Sequence, residues 1–267
     1  MVGYAKTSLM QPLKRRGLDA LMRMSRKLYR ENQYPASARH VDCTLMLSED
    51  HPDALLSSRL FDLALASIRR ASAISMSEVS RRMGPGFAAP YPSIWPGEHY
   101  KLLAGLVQEL QPGLVVEVGT GEGLSALAML PHIPPHGRIV SFDILPWSES
   151  RRTCLRATDF ASGQLTQTID DLSDGDAFER HRDLLGNADL VFVDGPKDCH
   201  FEQLFVHRCG TLRCATGPVF LFDDIRQWNM LDFWRGLSWP KLDITSFGHW
   251  TGTGLAEWVP ARSAETA

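Results

Sequence analysis

Four stretches of this 267-residue chain place carboxylates directly after an apolar run: Asp143, Asp170-Asp171, Asp194 and Asp223-Asp224. In an open α/β sheet the carboxyl ends of the strands form one rim, and ligands sit there. Any one such Asp reads equally well as a helix N-cap. Four on one rim would crowd negative charge together without a cation. The densest group is Asp194-Gly-Pro-Lys197-Asp198 with Asp223-Asp224. Asp194, Asp223 and Asp224 make an all-oxygen donor set. With water in the remaining positions, it suits Mg²⁺ or Ca²⁺ rather than zinc. Lys197 follows Asp194 closely enough to face the same site, either as a reactive amine or as an ion-pair partner of the acids.

A second constellation lies upstream in Leu114-Val-Val-Glu-Val-Gly-Thr-Gly-Glu-Gly-Leu-Ser125. Four apolar positions read as a buried strand, and a helical pattern begins at Leu124. Between them Gly119, Thr120, Gly121 and Gly123 make a turn in which the backbone can approach a ligand and present free N–H groups. A dinucleotide fingerprint would need its last Gly at Leu124. Instead Glu117 stands just before the turn, which suits a ligand with a cationic end. Asp143, at the end of the next strand, can accept both ribose hydroxyls of a nucleoside. Ile144 would pack on its base, and Asp171 or Ser173 would bond its exocyclic amine.

These residues need a scaffold, and the rest of the chain spells one. Strands are expected at Arg138–Phe142, Leu165–Ile169, Ala188–Val193 and Pro218–Phe222, with helices at 147–159, 177–185, 201–212 and 227–237. Two last strands, 242–247 and 255–259, flank a Gly-rich turn. Five β-α units and a closing hairpin predict a Rossmann-like, doubly wound, mostly parallel seven-stranded sheet with an antiparallel C-terminal hairpin. Residues 1–90 read as a helical N-terminal extension and 91–267 as the ligand-binding domain. Within the extension, 1–31 is a basic amphipathic helix, 32–50 a loop, and 52–83 a helix that Asp53 caps. A Pro- and aromatic-rich linker follows at Ala89–Gly97.

Composition narrows the class. The chain is 44% hydrophobic with net charge −3, which supports a full core and gives no global attraction to nucleic acid or membrane. No apolar run is long enough to span a bilayer, and no secretory h-region is seen at the N-terminus. Five cysteines without a C-x-x-C fit reduced thiols in the cytoplasm.

The glycine stretch resembles motif I of the class I S-adenosylmethionine-dependent methyltransferases. The pairing of D-x-x-K-D at Asp194–Asp198 with Asp223-Asp224 resembles the metal-dependent O-methyltransferases, of which the catechol and caffeoyl-CoA enzymes are the best known. The likeness runs from about Ile94 to Val259. It implies that Asp194, Asp223 and Asp224 are metal ligands and Lys197 the general base. It also implies that Glu117, Ser125, Asp143 and Asp194 take part in the cofactor site. Family members commonly end the second acid pair with Asn, where this chain has Asp224. A bacterial group with the same V-D-G and D-D-I signatures includes members that need no metal.

The resemblance therefore implies S-adenosylmethionine and Mg²⁺ as cofactors and a small hydroxylated molecule as acceptor. Methyl transfer requires the nucleophile in line with the S–CH₃ bond and stripped of its proton. Alternatives are a metal-independent methyltransferase, an NAD-linked oxidoreductase, and a non-catalytic cofactor-binding partner protein. The N-terminal helices offer a surface for a homodimer.

Overall fold

The structure, a computed structural model, describes residues 57–83, 91–214 and 217–260. The basic helix expected at 1–31, the loop to residue 50, Asp53, Cys43 and the homodimer surface lie outside the described residues.

Strands β1 (Leu114–Val118), β2 (Arg138–Asp143), β3 (Leu165–Ile169), β4 (Leu190–Val193), β5 (Val219–Asp223), β6 (Lys241–Asp243) and β7 (Thr253–Glu257) form one sheet. Its order is β3-β2-β1-β4-β5-β7-β6. The first five pair in parallel, while β7 runs antiparallel to both β5 and β6. This is the mostly parallel, doubly wound sheet with an antiparallel C-terminal pair that the β-α alternation predicts. Because the chain leaves β1 for β2 on one side and reaches β4 on the other, the strand order reverses between β1 and β4. A crevice for ligands opens at that point.

The apolar strand runs are continuous because both sheet faces are covered. Val115, Ile139, Leu190, Leu221 and Leu255 enter one hydrophobic cluster, and Val116, Val140, Val191, Phe220 and Ala256 the other. The first cluster also takes in helices α1 (Ser58–Ala73), α2 (Ser77–Arg82), α3 (Tyr100–Leu110) and α4 (Leu124–Met129). Leu60, Leu63 and Ala64 of α1 share it with Leu103, Leu106 and Val107 of α3. The α1 start is capped by Ser57, whose Oγ accepts the Leu60 N–H at 3.0 Å.

The helices are shorter than the periodicity suggests. The stretch to residue 83 breaks at Ile74, which is extended, and Ser75 takes the Ser77 N–H. The helix expected over 147–159 is not formed. Two 3₁₀ turns, Trp147–Glu149 and Ala157–Phe160, stand there instead, because Pro146 and bonds such as Trp147 N–H to Gln167 Oε1 tie the segment to β3. The helix expected over 177–185 divides at His181 into α5 (Gly175–Arg180) and α6 (Arg182–Gly186). Helices α7 (His200–Cys209) and α8 (Met230–Gly236) complete the second layer. In the C-terminal pair, Thr245–Phe247 coils into a 3₁₀ turn rather than prolonging β6. Among the described residues, no helix is long and apolar enough to cross a membrane.

Candidate active site at the carboxyl ends of the strands

The glycine turn leaves β1 with positive φ at Gly119, Gly121 and Gly123. Gly119, at φ 100°, lies so close to the Asp194 backbone carbonyl that a Cβ would overlap it. That contact joins the β1 turn to the end of β4. Asp143 sits under the turn: its Oδ2 accepts the Thr120 and Gly121 N–H groups at 3.0 and 3.1 Å, and its Oδ1 accepts that of Leu145 at 3.1 Å. A carboxylate can accept about four bonds, so Asp143 keeps capacity for a hydroxyl. Ile144 beside it is 66% exposed, a large apolar side chain at the rim.

Glu117 is wholly enclosed. Ser125 Oγ donates to its Oε1 at 2.5 Å and Ser141 Oγ to its Oε2. Burial pushes its pKa up to about 7, although the two hydroxyls oppose that rise. The network continues from Ser141 to Thr120 Oγ1 at 2.7 Å, which accepts from Gln167 Nε2 at 3.0 Å. Glu117 therefore supports the turn from beneath, through hydroxyls, rather than lining open space.

The acids at the ends of β4 and β5 gather around one amine. Lys197 Nζ lies 2.7 Å from Asp194 Oδ1, 3.2 Å from Asp223 Oδ2 and 3.4 Å from Asp224 Oδ2. Lys197 and Asp224 both have positive φ, 60° and 61°, which non-glycine residues adopt rarely and at a cost of about 1–3 kcal/mol. Glu202 of α7, fully buried, accepts the Lys197 N–H at 3.2 Å, and Asp198 Oδ1 caps α7 by taking the Phe201 N–H at 2.8 Å. Burial alone would lower the Lys197 pKa, but the three carboxylates outweigh it and hold the ammonium form above its ordinary range. Asp223 would be raised by its burial, yet Lys197 and His99 hold it well below the usual carboxylate range. One oxygen from each of Asp194, Asp223 and Asp224 lies within 4.8 Å of the others.

The segment before α3 closes the other side. Gly97 bridges to the turn preceding β7: its N–H donates to Gly248 O at 3.1 Å, and its carbonyl accepts from Trp250 N–H at 3.3 Å. This carries Glu98 and His99, each 3% exposed, against Asp223 and His249. His249 Nδ1 stands 2.7 Å from Thr251 Oγ1, 3.2 Å from Asp224 Oδ1 and 3.3 Å from Asp223 Oδ1. Burial would lower the His249 pKa, but Asp223 and Asp224 raise it to about 10.

No family model matches the chain. It is 28% identical to mouse catechol O-methyltransferase over 128 residues, a match spanning 47% of this chain and 47% of that protein. This chain resembles the catechol O-methyltransferases. The chain thus spans about half the length of that curated relative. Among solved structures it is similar to a methyltransferase from Geobacter sulfurreducens, at 15% identity and TM-score 0.45, over 71% of this chain and 88% of that one. It is also similar to the O-methyltransferase TomG from Streptomyces achromogenes, solved with SAM, at 18% identity and TM-score 0.41, over 76% and 90% of the two chains.

Set against the residues the resemblance points to, the structure brings Gly119, Thr120, Gly121, Gly123, Asp143, Glu117 and Ser125 together at the β1 end, and Asp194, Lys197, Asp223 and Asp224 together beside them. Asp171 stands apart: it is exposed, and its Oδ1 takes the Ser173 N–H at 2.8 Å. Asp170, its neighbour, pairs with His181 and Arg180, which hold it below the usual carboxylate range. Trp234 is fully buried core and His200 is exposed. Sequence reasoning missed Glu98, His99 and Thr251. Two polar, ionisable residues directly after a Pro-rich linker, where a helix begins, were the signal available for the first two.

Proposed function

We propose that this chain is an S-adenosylmethionine-dependent O-methyltransferase acting on a hydroxyl of a small molecule, assisted by a divalent cation. The observation that carries the reading is the shared wall between the two constellations. Gly119 of the nucleoside-binding turn touches Asp194 of the acid cluster, so a cofactor methyl group and a hydroxyl held at the acids can meet. Asp143 takes the ribose, Ile144 packs on the adenine, and Gly119, Thr120, Gly121 and Gly123 admit the remainder of the cofactor. Glu117, held by Ser125, supports the turn beneath the cofactor's cationic end and adds negative charge there where it ionises, above a pH of about 7.

The hard, all-oxygen chemistry of Asp194, Asp223 and Asp224 fits Mg²⁺. A divalent cation held there would lower the pKa of a bound hydroxyl and replace Lys197 as counter-charge for the acids. Lys197 then loses the anions that keep it protonated, and its burial alone favours the neutral amine. In that state its Nζ can take the hydroxyl proton. Bound S-adenosylmethionine would supply the activated methyl group, which would pass from its sulfonium to the acceptor oxygen and leave the methylated product and S-adenosylhomocysteine.

A second reading has its own observation. Lys197 already neutralises part of the acid cluster from 2.7–3.4 Å, as the cation would. A metal-independent methyltransferase could use the acids and Lys197 only to shape the pocket.

Calorimetric titration with S-adenosylmethionine, with and without Mg²⁺, on wild type and Asp194→Ala tests both. Micromolar cofactor binding with a separate Mg²⁺ heat that the variant loses supports the metal-assisted reading. Cofactor binding without a Mg²⁺ heat, and turnover of a hydroxylated acceptor in EDTA, would transfer support to the second. Absence of cofactor binding would overturn both.

A further inference from the structure

Asp223 has two faces. Its Oδ2 meets Lys197, but its Oδ1 turns the other way, 3.3 Å from His99 Nδ1 and 3.3 Å from His249 Nδ1. His99 is 3% exposed, and neither ring nitrogen has a hydrogen-bond partner among the described residues. Leaving buried polar atoms unpaired costs about 1–3 kcal/mol for each group, and nothing in the methyl-transfer chemistry uses this imidazole. Behind His249, Glu98 is equally buried; its Oε2 is also unpaired and lies 3.5 Å from His249 Nε2.

We infer that His99, His249 and Asp223 form a binding site for a divalent first-row transition ion, of the zinc, cobalt or iron(II) class, which shares Asp223 with the oxygen set of Asp194, Asp223 and Asp224 but differs from it in donor chemistry. One ligand atom from each of the three residues lies within 4.8 Å of the others. The two 3.3 Å nitrogen–oxygen separations are long for charge-assisted hydrogen bonds. They match the edge of a tetrahedron with bonds of about 2.0–2.1 Å, which is about 3.3 Å. Imidazole nitrogens select zinc and its neighbours over Mg²⁺. Glu98 stands where a ligating histidine normally finds a carboxylate for its second nitrogen; an ion at Nδ1 would displace the contact that this nitrogen makes with Thr251 Oγ1. The ion takes the place of the proton on His249. Two histidines and one carboxylate leave at least one position for water or a small ligand. Four buried or half-buried carboxylates, Glu98, Asp194, Asp223 and Asp224, face Lys197 and the His249 imidazolium here, so negative charge remains in excess, and a dication that replaces the His249 proton reduces it. The inference does not depend on the methyl-transfer reading.

The probe is cobalt(II), titrated into full-length, chelator-treated protein and followed by visible d–d absorption, which nitrogen–oxygen sites of low coordination number give more strongly than octahedral oxygen sites. Wild type is expected to develop the band and to lose it to Zn²⁺ but not to excess Mg²⁺. His249→Gln and His99→Gln are expected to weaken cobalt affinity by about a hundredfold or more, while His200→Gln, at an exposed histidine outside the cluster, stays near wild type. Circular dichroism confirms that each variant folds. His249 lies in a turn, so its variant carries the test if His99→Gln does not fold. A band unchanged in His249→Gln, a band lost in His200→Gln or displaced by Mg²⁺, or folded wild type without a band each overturns the inference. S-adenosylmethionine titration of the same preparations reports separately on the cofactor site.

Discussion

Glu117 makes a quantitative prediction about stability. Its carboxyl is fully enclosed, and burial moves its pKa from 4.5 to about 7. A displacement of that size corresponds to roughly 3 kcal/mol between the protonated and ionised forms. Below a pH of about 4.5 the group is protonated whether the chain is folded or not, and it costs nothing. Between there and about 7, the unfolded chain has released the proton while the folded chain keeps it, so stability falls as pH rises. Above about 7 the full penalty is present. Glu117→Gln keeps the side-chain shape and one acceptor oxygen; its amide nitrogen must donate to a serine oxygen where the carboxylate accepted, a pH-independent change, and it cannot ionise. The free energy of unfolding of wild type relative to this variant should therefore fall by about 3 kcal/mol between pH 4.5 and 8. In melting temperature that is roughly 6–12 °C for a chain of this size. Urea denaturation of both proteins across that pH range reads the difference directly, because the other titrating groups are common to both. A difference constant to within about 0.5 kcal/mol would refute the reasoning, since Glu117 would then titrate alike in both states.

Three further outcomes follow from contacts described above. Gly119→Ala sets a Cβ against the Asp194 carbonyl at a φ that disfavours it. Thermal melts should show a loss of about 1–3 kcal/mol, and calorimetry the loss of S-adenosylmethionine binding; unchanged binding would remove the turn from the cofactor site. Asp143→Asn leaves shape intact but removes the charge shared by three amides and, as proposed, a ribose, so cofactor affinity should fall about tenfold or more. Lys197→Met leaves Asp194, Asp223 and Asp224 without their shared cation. The cost should be about 3 kcal/mol, and millimolar Mg²⁺ should restore the urea midpoint; failure of that rescue would count against the oxygen set as a metal site.

The central parallel strands were legible because burial on both faces demands apolar runs, and because Gly or Asp closes each run at the carboxyl rim; β3, at the sheet edge, reads Leu-Thr-Gln-Thr-Ile and is mostly not buried. That topology alone brings Asp143, Asp194 and Asp223 to one side, so the acid cluster could be read without coordinates. The helices were less legible. Between residues 147 and 159 the apolar spacing allowed a helix, but Pro146 and side-chain bonds to β3 compete with it and win. The spacing set Lys197 beside Asp194, and in the structure it stands among the acids, where three carboxylates outweigh its burial. Glu98 and His99 were invisible because their placement depends on a backbone bridge from Gly97 to a turn 150 residues later. No local spacing encodes such a pairing.

That bridge has a consequence for how the chain matures. During synthesis β1, β2 and β4 emerge well before the turn that holds His249 and Thr251, and β7 must slot between β5 and β6, which are already made. The glycine turn can thus acquire its neighbours while Asp223, Asp224 and Lys197 still lack their far wall. A nascent or truncated product ending before Gly248 would carry the glycine turn with the acids open to water; His99 would keep Phe192 and Asp223, but Glu98 would lack His249. The last strand, although at the sheet's margin in sequence, acts as the fastener that turns two half-sites into one enclosure.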